Sequence, residues 1–152
     1  MSEPPLTLER LFSAPGLSGP LPGAARYAPD GRRIAWLRPA DDDAERLDLW
    51  LHDLDAGTSR LLVDARTLAS GRALSEEEKA RRERLRVFAG GIVEFHWQAD
   101  GRHLLFPVEG VLHRLDAGTP GATPRPLTDP DAFVTDARPL PGRDAVAFVQ
   151  DR

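Results

Sequence analysis

The chain has 152 residues, an apolar fraction of 41% and a formal net charge of -4. The acidic balance, with a pI of about 5.6, argues against the basic footprint of a nucleic-acid binder and against anionic membrane surfaces, so neither nucleic acid nor membrane is expected as a partner. With no cysteine there is no disulfide framework and no thiolate metal site.

The N-terminus, "MSEPPLTLERLF", lacks a basic stretch followed by an apolar run, so no secretory signal is visible. The chain reads as cytoplasmic as written, and as periplasmic if a leader precedes Met1. The apolar runs are too short for a membrane span. Of the 20 basic residues only Lys79 is a lysine, which fits a GC-rich bacterial coding bias and carries no mechanism. Residues 1–23 read as a lead-in segment.

The first structural unit is expected over 24–64, with strands near 24–28, 33–38, 47–54 and 59–63. Pro29-Asp30-Gly31 supplies a tight turn, because Asp-Gly tolerates positive φ. Leu47, Leu49 and Leu51 fall on one strand face and Trp50 and His52 on the other. Apolar residues on both faces predict a sheet covered on both sides. The acidic run "DDDAE" at 41–45 lacks the glycine and later glutamate of a calcium loop and reads as a solvated hairpin loop.

Residues 65–91 read as a helical insertion. Ser75 with Glu78 three residues on forms a capping box. Glu76, Glu77 and Glu78 lie in the first turn and Arg82, Arg84 and Arg86 toward the end, the order that suits the helix dipole. Glu77–Arg81, Glu78–Arg82 and Lys79–Glu83 are i,i+4 pairs, each contributing about 0.3 kcal/mol. Only Ala80 and Leu85 are apolar within the helix, so no broad face asks to be buried. Gly90-Gly91 let the chain turn back toward the next strand.

A second unit is expected over 92–129, with strands near 92–97, 103–108, 111–115 and 125–128. "QADGRHLLFPV" (98–108) echoes "APDGRRIAWLR" (28–38), and "LPGRDAVAFVQ" (140–150) does so more faintly. Leu-Asp-Ala-Gly-Thr occurs at 54–58 and again at 115–119. "RPLTD" (125–129) repeats the position of "RLLVD" (60–64). A truncated third unit spans 134–152, with strands near 134–140 and 145–150. Four short hairpin-linked strands per recurring unit match a propeller blade. The expected fold is therefore all-β: a partial β-propeller of about two and a half four-stranded antiparallel blades with one inserted charged α-helix. Since a propeller needs four to eight blades to close, the sequence reads as the opening segment of a longer protein.

Catalytic motifs are missing. "GLSGP" at 16–20 comes nearest to a G-x-S-x-G nucleophile elbow and fails at Pro20. His52, His96, His103 and His113 lie in predicted strands or at their starts, in no metal-ligand spacing, and read as strand-surface or satisfied core histidines. The Pro-rich stretch 119–131 reads as an inter-strand loop in preference to a polyproline recognition motif. No cofactor and no metal are called for.

"LTLERLF", "PDGRRIAWLR" and above all "LSEEEKARRERLR" followed by "GIVEFHWQADGRHLLFPVEG" resemble the dipeptidyl peptidase IV family of serine peptidases, in particular its bacterial and cytosolic members. The resemblance covers essentially the whole chain. It implies an eight-bladed N-terminal propeller over a C-terminal α/β-hydrolase domain, in an enzyme that releases Xaa-Pro or Xaa-Ala dipeptides from peptide N-termini. The hydrolase domain, with its Ser-Asp-His triad, is absent from this sequence. So is the Glu-Glu-x-x-Arg motif that holds the substrate's amino group, which is expected downstream of Arg152. Glu76-Glu77 belong to a capped helix start and are not that motif. No residue here is assigned a catalytic role. One substrate-binding residue is implied: Arg86, at the end of the inserted helix, which would hydrogen-bond a carbonyl oxygen near the substrate's N-terminus. Arg84 competes for that position, and a helix-end arginine paired with the dipole or a carboxylate is the plain alternative. The implied partners are peptide N-termini, the hydrolase domain and, for the complete enzyme, a second copy in a homodimer. Without the resemblance, the same blades suit a non-enzymatic propeller scaffold or binding protein.

Overall fold

The structure is a computed structural model that describes residues 6–13, 17, 19, 21–70 and 90–150. A five-residue helix, α1 (Leu8–Phe12), is capped by the Thr7 hydroxyl, which accepts from the Arg10 backbone N–H. The chain then forms β1 (Gly23–Tyr27), β2 (Arg33–Pro39), β3 (Arg46–Asp53) and β4 (Thr58–Val63), an antiparallel meander in sequence order. Further along come β5 (Gly90–Gly91), β6 (His96–Trp97), β7 (His103–Val108), β8 (Val111–Asp116) and β9 (Arg125–Pro126). Strands β6 to β9 make a second meander of the same order. The hairpin of β10 (Val134–Pro139) and β11 (Val146–Gln150) begins a third.

The units repeat hydrogen bond by hydrogen bond. At the first turn, the N–H of Ala28, Gln98 and Leu140 donates to Arg33, His103 and Ala145 in turn. The turn itself is closed by the N–H groups of Gly31, Gly101 and Arg143 donating to the carbonyls of Ala28, Gln98 and Leu140. Asp64 and Asp129 each follow a fourth strand and cap a 3-10 turn, accepting from Arg66 N and Asp131 N. The step between units repeats as well. Ile92 N donates to Leu47 O at 3.0 Å and Val134 N to Gly110 O at 2.7 Å, residues that stand at corresponding strand positions. Each unit is thus bonded to the one before it in the same way. Repeated four-stranded meanders joined by one repeated step make a partial β-propeller.

Strand alternation explains the packing. Ala35, Leu37, Leu49 and Leu51 on the first blade bury against Leu104, Phe106, Val108 and Leu115 on the second. The opposite face of the second blade, through Leu105 and Leu112, packs on Val134 and Ala137 of the third. The second blade is therefore apolar on both faces because both are covered. The first strands of the three units also touch. Trp97 Nε1 donates to the Arg26 carbonyl at 3.1 Å, and the Arg138 guanidinium contacts the His96 ring.

Four expectations change. The predicted strand over 92–97 pairs with β7 only at His96 and Trp97. Gly90 and Ile92 instead donate to Glu45 and Leu47 of the first sheet, so this stretch is drawn toward its neighbour. The predicted strand over 125–128 is regular only at Arg125–Pro126; Leu127 N still donates to Leu112 O. The Leu-Asp-Ala-Gly-Thr echo is two residues out of strand register, because Asp53 (opposite Arg33), not Asp55, corresponds to Asp116 (opposite His103). Leu54 therefore lies just past the end of β3 and is 43% exposed, whereas Leu115 lies within β8 and is 1% exposed. Finally, among the described residues the first blade is covered on one face. Trp36 and Trp50, stacked on the other face with centroids 6.3 Å apart, are only half-buried.

Candidate functional site

The proposed inserted helix, with Ser75 to Leu85 and both Arg86 and Arg84, lies outside the described residues. Its two roots lie within them. The outgoing root follows β4 through the 3-10 turn Ala65–Thr67. The Ala65 N–H donates to the buried Asp48 carboxylate at 2.9 Å. A little further on, Ser70 donates from its backbone N–H at 2.9 Å, and from its hydroxyl, to Glu109 Oε2 in the β7–β8 turn. The returning root is β5, parallel to the start of β3. There Gly91 has φ +72, and a Cβ on it would lie 2.5 Å from the Leu47 carbonyl oxygen. The backbone can approach this closely only without a side chain. Both roots therefore meet the β3 start, and Glu109 ties the outgoing one to the second blade.

Beside the roots is a cleft of about 330 Å³, with Asp42, Arg46, Asp48, Trp50, Asp64 and Arg66 among its lining residues. Arg66 bridges Asp42 at 2.6 Å and Asp64 at 2.8 Å, and Arg46 also pairs with Asp42. The hydrogen bond from Arg46 holds the Asp42 carboxyl below its ordinary range, and that from Arg66 does the same for Asp64. Both stay ionised at neutral pH, so neither is set up as a general acid. The acidic loop at 41–45 is thus a hairpin loop, as expected, but its aspartates are engaged by arginines. The cleft is thus lined by a network of ion pairs near the root of the insertion.

The histidines do not gather. His52 Nδ1 lies 2.9 Å from Ser59 Oγ, and His103 Nδ1 2.5 Å from Asp100 Oδ2. His113 is buried, stacked on Phe106 at 5.8 Å, and its burial lowers its pKa. Among the described residues no group of three or more His, Cys, Asp or Glu could hold a metal ion.

One constellation was missed by sequence reasoning. The register places Arg26, His96 and Arg138 at the same position of the first strand in three successive units, opposite Ala35, Leu105 and Ala147. Arg138 contacts His96 Nε2, lies 3.4 Å from Glu94 and 2.6 Å from Asp136. The Arg26 guanidinium lies over the Phe95 ring, 5.9 Å from its centroid. Burial, then the charges of Arg138 and Arg26, lower the His96 pKa, against the opposing pull of Asp136. The signal was available in the sequence: each residue stands three places before Pro29, Ala99 or Pro141, which open the three turns.

No family model matches the chain. Among solved structures it is similar to the β-propeller domain of the Trilobed protease from Pyrococcus furiosus, which has an open velcro topology, at 14% identity and a TM-score of 0.49. The likeness covers 86% of this chain and 41% of that one, so the chain spans about two fifths of its neighbour's length. The propeller assignment itself stands on the repeated hydrogen bonds of this chain.

Proposed function

We propose that the chain is propeller sequence from a serine exopeptidase of the dipeptidyl peptidase IV type, which releases Xaa-Pro or Xaa-Ala dipeptides from peptide N-termini. In this reading the blades shape the cavity that admits the substrate, the insertion contributes to the subsite for its amino end, and a hydrolase domain supplies catalysis. The observation that carries the reading is "LSEEEKARRERLR" running into "GIVEFHWQADGRHLLFPVEG", a charged segment set between two blades. The rooting of the insertion supports it. A residue that reads a substrate must be held in place, and Asp48, Glu109 and Gly91 fix the two ends from which the segment departs.

Arg86 is the substrate-binding residue of this reading. A guanidinium stays charged and presents fixed donors to a carbonyl oxygen. In a polypeptide carrying this chain together with its hydrolase domain, Arg86→Ala lowers kcat/KM for Gly-Pro p-nitroanilide by about tenfold, the effect of one lost charged hydrogen bond. Arg84→Ala changes it by about twofold or less. Unchanged kinetics in Arg86→Ala would remove that residue from the subsite.

A further inference from the structure

Three aligned side chains on the first strands remain without a role. Such strands lie nearest the axis of a propeller and line its central channel. In this chain the first strands also touch from unit to unit. The middle side chain of the row is an imidazole flanked by two guanidinium groups.

The charges are unevenly satisfied. Arg138 is neutralised by Asp136 and Glu94. Arg26 has no carboxylate within ion-pair distance among the described residues, its guanidinium resting over the Phe95 ring. Next to it, His96 turns Nε2 toward the Arg138 guanidinium. A guanidinium only donates, so Nε2 is the acceptor and the ring is neutral, with its proton on Nδ1. The row therefore holds one uncompensated cation beside a second group able to become cationic.

We propose that Arg26 and His96, flanked by Arg138, form a binding site for a carboxylate-bearing ligand. The carboxylate accepts from the Arg26 guanidinium and from His96 Nε2–H once the ring has taken a proton from solvent. Arg138 then keeps its pairs with Asp136 and Glu94 and gives up its contact with the imidazole. Because the neutral ring is favoured in the empty site by burial and by both arginine charges, carboxylate binding is linked to proton uptake. Affinity rises as pH falls through the His96 titration. The site does not depend on the peptidase reading, and its test needs no peptidase activity.

The test is an NMR titration of the histidine ring protons in the full 152-residue chain, with the His96 signal assigned by His96→Asn. It is run in chloride, in acetate, and with the α-amide of N-acetylglutamic acid, at matched ionic strength. Carboxylate raises the His96 midpoint by about one pH unit, as an opposite charge at contact distance does. The midpoint of the buried His113 stays put, and Arg26→Ala abolishes the shift. A response to both probes assigns the site to carboxylates in general, and a response to the glutamate derivative alone assigns it to a peptide side chain. No shift in the wild-type chain, an equal shift at His113, or a shift that survives Arg26→Ala overturns the proposal. The wild-type comparison decides the matter even if a variant fails to fold.

Discussion

Single residues set the geometry where this chain joins one blade to the next. Gly91 and Phe133 stand just before the residues that donate across to the preceding blade, and both have positive φ, +72 and +32. The chain must therefore adopt a left-handed conformation as it enters each new unit. At 91 the approach to the Leu47 carbonyl also leaves no room for a Cβ. Gly91→Ala destabilises the chain by about 1–3 kcal/mol, since an L residue at this φ is strained and its methyl group meets backbone. Gly23→Ala is the control, because no atom lies within 4 Å of a Cβ built there and its φ is not positive. Urea unfolding of the two variants checks this, and a Gly91→Ala midpoint equal to that of Gly23→Ala would contradict it. The sequence pointed to a chain reversal at Gly90-Gly91. It could not show that the reversal presses on a neighbouring sheet, because that contact is made by residues far apart in sequence.

At the scale of the element, the strands were largely legible. Asp-Gly turns and two-residue alternation located β2, β3, β4, β7 and β8 to within a residue or so. The misses share one physical cause. Alternation reports side-chain burial, whereas strand pairing depends on where backbone groups find partners. Residues 92–95 are strand-like in composition, but Ile92 spends its N–H on the adjacent sheet. The Leu-Asp-Ala-Gly-Thr echo misled for a related reason. Arg32–Asp55 and Arg102–Asp116 follow the sequence echo as ion pairs, while the strand register runs through Asp53 and Asp116. Register also matches Trp36–Trp50 with Phe106–His113, two stacked cross-strand pairs on corresponding faces. The pair in the second blade is buried beneath the first blade, and the Trp pair is half-exposed. Phe106→Ala therefore costs about 3–5 kcal/mol, the usual effect of emptying a buried aromatic site, and Trp36→Ala about half of that or less. Equal losses in urea unfolding would show that the Trp face is as well covered as the Phe face.

For the whole molecule, the blade repeat was legible because each unit opens with the same turn chemistry. The proposed peptide-binding role rests on the charged segment at 74–86 and its likeness to a peptidase family. The row of Arg26, His96 and Arg138 was not recognised, because residues 70 and 42 positions apart become neighbours only when the blades stack. In the proposed reading, the blades would shape a cavity and hold the roots of a substrate-binding insertion, with a hydrolase domain supplying catalysis. The most direct measurement is turnover of Gly-Pro p-nitroanilide by two purified polypeptides, the 152-residue chain alone and the same chain joined to its hydrolase domain. The account predicts no turnover by the first, turnover by the second, and loss of that turnover when the substrate's N-terminus is acetylated. Turnover by the 152-residue chain alone, or indifference of the longer polypeptide to acetylation, would contradict it.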